Sequence, residues 1–125
     1  MPNKKIGLVL SHVYVREGER YKFDMINYVI GRMKRLGNFF VVLSGHGPCL
    51  PTEQLSKQID AIYWDGNVRE EELGRGHPKF CIKGFEICKQ NNIQKVVKLR
   101  AFDYLVNKDR FEDLVSQEAK IIVSE

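Results

Sequence analysis

The sequence contains no apolar stretch near the ~20 residues that a membrane-spanning helix needs. Its long apolar runs, such as residues 6–10 and 39–43, stop far short of that. It also lacks the cysteine patterns of a disulfide framework or a structural zinc site, because Cys49, Cys81 and Cys88 are odd in number and form no CxxC pair. Reduced thiols and a cytoplasmic location are therefore expected. Charge of one sign is missing too: 20 Lys and Arg stand against 16 Asp and Glu, leaving a net charge of +4. The two signs are interspersed, so anionic ligands are attracted while nucleic-acid binding is not specifically indicated. There is no internal repeat and no low-complexity segment. Lys4 and Lys5 precede apolar residues as in a signal peptide, but the run breaks at Ser11-His12 with no small-residue cleavage site, and it reads as a first strand.

What is present is a chain of 125 residues, the size of one domain, with 43% hydrophobic and 29% charged residues, enough to bury a core. Residues 1–125 are expected to form a single domain. The run IGLVL (6–10) is continuously apolar, as in a strand buried on both faces. Phe23, Ile26, Ile30 and Met33 follow helical spacing, with Gly37-Asn38 as a stop. FFVVL (39–43) gives a second strand, ended by the turn cluster SGHGP (44–48). A short helix capped by Thr52 and a third strand over residues 61–64 come next. The polar stretch 65–77 reads as a loop, 78–91 as a helix opened by Pro78, 96–99 as a fourth strand, 110–117 as a helix and 120–124 as a last strand. Cys81, Gly84, Phe85 and Cys88 are spaced to share one helix face, where the cysteines would serve as small core filler.

Strands alternating with helices predict right-handed βαβ units and a mostly parallel, Rossmann-like α/β sheet covered on both faces. Ligands of such sheets bind beyond the carboxyl ends of the strands. That rule gathers a short list at one rim: Ser11, His12 and Tyr14 after the first strand, Ser44 and His46 after the second, Asp65 after the third, and Asp103 and Tyr104 after the fourth. His77 and Lys79 lie where the third helix opens, close enough to the rim to meet a diphosphate or merely to line a solvated helix face. Lys98 and Arg100 alternate, so they share a face; Arg100 either approaches a ligand or pairs with a carboxylate.

The stretch GRGHPKFCIKGFEICKQNNIQKVVKLRAFDYLV (74–106) resembles the middle of GT-A fold glycosyltransferases, with a Gly-containing loop and a helix leading to a strand that ends in an acidic motif. The resemblance covers the donor-binding half of that fold. It implies a metal-dependent glycosyltransferase, a hexosyltransferase using a nucleotide diphosphate sugar, taken as a UDP-sugar. The family's acidic motif holds a divalent metal that bridges the donor diphosphate. Carried over residue by residue, Asp103 matches as the ligand for Mn²⁺ or Mg²⁺, while Ala101 and Phe102 stand where a first acid is usual. The same resemblance implies that Ser11, His12, Tyr14, Asp65, His77, Lys79 and Arg100 serve nucleotide-sugar binding, with Tyr14 stacking on the base and Asp65 accepting from ribose or base. No catalytic base is nominated. Acceptor residues in this fold follow the metal motif, and only about twenty residues follow it here, which leaves a minimal acceptor site, one completed by a second subunit of a homodimer, or lost activity.

Two other readings stand beside this one. A non-catalytic nucleotide-binding or interaction module would keep the donor pocket without transfer. A flavodoxin-like or receiver-like domain has the same element order, although Ser11-His12 replaces a receiver's acidic pair and VYVREGER makes a poor flavin phosphate loop. A transition-metal site built from His12, His46 and Asp103 ranks lowest, because nothing in their spacing demands it.

Overall fold

The computed structural model describes residues 6–66, 78–100 and 121–123. Five strands, β1 (Ile6–Tyr14), β2 (Phe39–His46), β3 (Ala61–Asp65), β4 (Lys95–Arg100) and β5 (Ile121–Val123), form one sheet in the order β3-β2-β1-β4-β5. All four pairings are parallel, which establishes the expected Rossmann-like α/β architecture. The order runs outward from β1 in both directions, as in the doubly wound order 3-2-1-4-5-6, and differs from the flavodoxin-like order 2-1-3-4-5. Strand order therefore reverses between β1 and β4.

Three helices accompany the described strands: α1 (Tyr21–Lys34), α2 (Glu53–Ser56) and α3 (Pro78–Gln90). In α1 the buried residues Phe23, Ile26, Val29, Ile30 and Met33 make one stripe, with Asp24 in the first turn and Arg32 and Lys34 in the last, complementing the helix dipole. Burying each large side chain of that stripe contributes about 1.5–3 kcal/mol. The stripe packs with Leu8, Leu10, Val41, Leu43, Val97 and Leu99 in the larger core. Thr52 caps α2 as expected, its Oγ1 accepting from the Leu55 N–H at 3.2 Å, and Leu55 joins the same core.

The opposite face is covered by α3. Val9 and Val42 meet Cys88 and Ile93 there in a smaller core. The helix comes close because Gly84 has no Cβ: one built there would strike the Val9 side chain. On β1 itself, a Cβ on Gly7 would lie 2.6 Å from Cys88 Sγ. The buried stripe of α3 is consequently Phe80, Gly84 and Cys88. Cys81 lies at its margin, and Phe85, expected on the buried face, is exposed, because Gly84 is the residue centred on the sheet and Phe85 is turned ~100° away from it.

Two strands run further than their apolar segments. β1 continues through Ser11-His12 to Tyr14, and β2 passes through Ser44-Gly45 to His46, where a turn was expected, because Gly45 and His46 are paired with Trp64 and Asp65 of β3. Among the described residues no helix is long and apolar enough to cross a membrane. Of the loop expected over 65–77, Asp65 belongs to β3 and residues 67–77 lie outside the described residues, as do the helix expected over 110–117 and His77, Asp103 and Tyr104.

Candidate functional site at the carboxyl rim

The two faces of the sheet differ in polarity. Side chains of the α1 face are apolar along their whole length, from Leu8 and Leu10 on β1 to Val97 and Leu99 on β4. On the α3 face, Val9 and Val42 give way toward the carboxyl ends to Ser11, Ser44 and His46. These three residues are only 1%, 0% and 6% exposed, and they are the buried polar residues found among the described ones. Buried polar groups need partners, so their placement on one face at one end is costly unless it is used. Ser44 Oγ donates to the Phe80 carbonyl at 2.6 Å, tying the first turn of α3 to β2.

A break in β1 shapes the rim. Leu10 pairs with Leu43 and Val13 with Gly45, so Ser11 and His12 together face Ser44 alone. One extra residue is inserted, a β-bulge, which is uncommon between parallel strands and often re-aims a side chain near a functional site. The bulge shifts the apolar phase by one, from Leu8 and Leu10 to Val13 and Val15, all in the larger core. That shift is visible in the run LVLSHVYV, where two polar residues replace one. His12 takes φ = 61° there. A left-handed conformation costs a non-glycine residue about 1–2 kcal/mol. The other described non-glycine residue with positive φ is Asn92, just past the end of α3, where such a conformation is common.

His12 brings the two sides of the strand-order reversal together. Its Nδ1 lies 3.0 Å from Ser11 Oγ, and its Nε2 lies 3.5 Å from Arg100 Nη2 on β4, a long contact. Ser11 and Arg100 are themselves partners in the β1–β4 register. A guanidinium only donates, so a neutral imidazole meets it with Nε2 as the acceptor and has its proton on Nδ1, facing Ser11 Oγ. Ser11, His12 and Arg100, singled out in the sequence, thus form one cluster.

The remaining candidates among the described residues gather around an aromatic layer on the β2 side. His46 lies flat on Phe80, with centroids 4.6 Å apart and planes 8° apart, and Tyr14 packs against His46 at 4.8 Å. The Arg16 guanidinium sits 5.6 Å from the centre of the Tyr14 ring, so that ring has neighbours in both His46 and Arg16. Lys79 Nζ lies 3.7 Å from Asp65 Oδ2 and 5.7 Å from the Phe80 ring centre. Asp65 and Lys79 are therefore joined to each other at the edge of this layer. Phe80 is the residue that the sequence reading missed; the available signal was an aromatic directly after Pro78-Lys79, where the first helical turn meets the strand ends.

For the expected divalent metal, the described rim offers mainly cationic groups, Arg100 and Lys79, with the Asp65 carboxylate held by Lys79. Among the described residues no three His, Cys, Asp or Glu side chains group to hold a metal ion. The described donors do not by themselves fit Mn²⁺ or Mg²⁺, which want an oxygen-rich shell.

No family model, no curated protein and no solved structure matches this chain. The class defined by fold and rim is that of a parallel α/β domain with a polar cluster at its topological switch point.

Proposed function

We propose that the chain binds a nucleotide diphosphate sugar, a UDP-sugar, across the carboxyl rim of the sheet and transfers its hexose to an acceptor hydroxyl. The observation that carries this reading is the meeting of Ser11, His12 and Arg100 at the reversal between β1 and β4, the place where open α/β sheets receive phosphate-bearing ligands. In this reading Arg100 meets the diphosphate with paired N–H donors, as guanidinium groups do for phosphate oxygens. Its donors would also offset the charge that develops as the sugar–phosphate bond breaks. The nucleoside lies toward Tyr14 and Asp65. Metal dependence rests on the resemblance of Asp103 to the family's acidic motif.

The test is a screen of nucleotide sugars for thermal stabilisation with and without Mn²⁺, repeated on Asp103→Ala and followed by a transfer assay. Stabilisation by one UDP-sugar that requires Mn²⁺ and disappears in Asp103→Ala is the expected result. Equal responses of both proteins remove Asp103 from the metal role. Absence of stabilisation by any nucleotide sugar removes the reading altogether, and binding without transfer selects the non-catalytic module.

A further inference from the structure

We infer that His12 is a positioning residue for Arg100, and that Arg100 held in this way binds the phosphate oxygens of an anionic ligand rather than a nucleobase edge; the location, though not the ligand chemistry, rests on the nucleotide-sugar reading. Three features meet at His12. The extra residue is inserted against β2, on the strand that borders the reversal with β4. The backbone there is left-handed at a histidine rather than a glycine. The imidazole so displaced comes to 3.5 Å from the guanidinium of the neighbouring strand.

A side chain that only filled space would not need this arrangement, since glycine relieves the backbone at no steric cost. Strained residues persist where surrounding structure and function hold them. The imidazole takes up one Nη2 position of Arg100, with Ser11 Oγ holding the other ring nitrogen at 3.0 Å. A guanidinium fixed along one edge presents its remaining N–H groups in a set direction, which suits the paired oxygens of a phosphate and loses less freedom on binding.

The experiment compares His12→Gly, His12→Asn, Arg100→Lys and the double variant His12→Gly/Arg100→Lys with the wild type. Apo melting temperatures are measured, and calorimetry is run with inorganic pyrophosphate, UDP-glucose and uridine. His12→Gly is expected to melt at or above the wild-type temperature while binding pyrophosphate about tenfold or more weakly, the loss expected for a hydrogen bond to a charged group. His12→Asn, which tolerates the left-handed backbone but is shorter, should also bind weakly, so the outcome does not depend on glycine. Arg100→Lys should lose a similar factor, and the double variant no more than Arg100→Lys alone, because His12 acts through Arg100.

Pyrophosphate binding unchanged in both His12 variants overturns the inference, as do multiplying losses in the double variant or no wild-type binding at concentrations on the order of 10 mM. If pyrophosphate binds in a His12-dependent way but UDP-glucose binds no tighter, the nucleotide-sugar reading fails while this inference stands. If UDP-glucose and uridine bind but pyrophosphate does not, the inference alone fails.

Discussion

The imidazole of His46 lies flat on the ring of Phe80, 4.6 Å between centroids and 8° from parallel, and this stack anchors the opening of α3 to the carboxyl end of β2. Phe80 also meets Tyr63 at 5.9 Å, and its carbonyl accepts from Ser44 Oγ. Replacing it removes a buried aromatic and leaves a cavity between helix and sheet. Phe80→Ala is expected to lower unfolding free energy by about 3–5 kcal/mol, and Phe80→Leu by less, in urea titrations. A loss under about 1 kcal/mol for Phe80→Ala would show that α3 is held elsewhere.

Close approach of α3 to β1 gives a second prediction. An added Cβ at Gly84 would strike Val9, whose side chain fills the space beneath it. Gly84→Ala is expected to cost about 1–3 kcal/mol by overpacking, despite alanine's better helix propensity. Val9→Ala in the same chain should return part of that loss, a non-additivity measurable in a double-mutant cycle. Additive losses would mean that the helix simply moves away.

How much of this was legible depended on whether neighbours or local chemistry decided the matter. The apolar runs of β1 and β2 revealed strands because parallel strands covered on both faces are rich in apolar residues throughout. Thr52 was legible as a cap because the hydrogen bond it makes is local. The extension of β2 through Ser44-Gly45-His46 was not, since a turn-like sequence became strand only through pairing with Trp64 and Asp65. Ser11 and His12 were on the rim list and Arg100 was named beside it, but their contact required the β1–β4 pairing, which no spacing encodes. Phe85 was assigned to the wrong side because helix periodicity gives a face about 100° wide and not its centre; Gly84 supplied the centre.

The cysteines differ in reactivity for reasons of burial. Burial raises the Cys88 thiol from an ordinary 9.0 to about 11, and burial also raises Cys81, partly opposed by Lys98. At pH 8, iodoacetamide should modify native Cys49 first, Cys81 more slowly and Cys88 only upon unfolding, as read by peptide mass mapping. For stability, the folded state favours the protonated thiol of Cys88. Below pH 9.0 both states are protonated and the contribution is constant; between pH 9.0 and about 11 the unfolded chain loses its proton first, so stability falls. Cys88→Ala should flatten that alkaline decline relative to wild type, and an identical slope would assign the decline to other groups.

The bulge makes a last prediction that ordinary expectations about deletions would reverse. Removing a residue inside a strand normally turns the following side chains to the opposite face. In β1 the insertion already exists: Leu10 and Val13 lie two steps apart on β2, opposite Leu43 and Gly45, but three steps apart on β1. Deleting His12 leaves one residue, Ser11, opposite Ser44, and lets Val13 and Val15 remain in the core with Leu8 and Leu10. It also removes the left-handed backbone at φ = 61°. The deletion variant should therefore fold cooperatively, with a melting temperature near or above that of the wild type, whereas deletion of Val9 should move Leu8 out of phase and unfold the chain. The price falls on the rim, where Arg100 loses the imidazole 3.5 Å away, so pyrophosphate binding should fall as far as in His12→Gly. Circular dichroism melts and calorimetry decide the matter together: a His12 deletion that unfolds like the Val9 deletion would make the bulge a requirement of the fold, and one that folds and still binds would leave it without a part in binding.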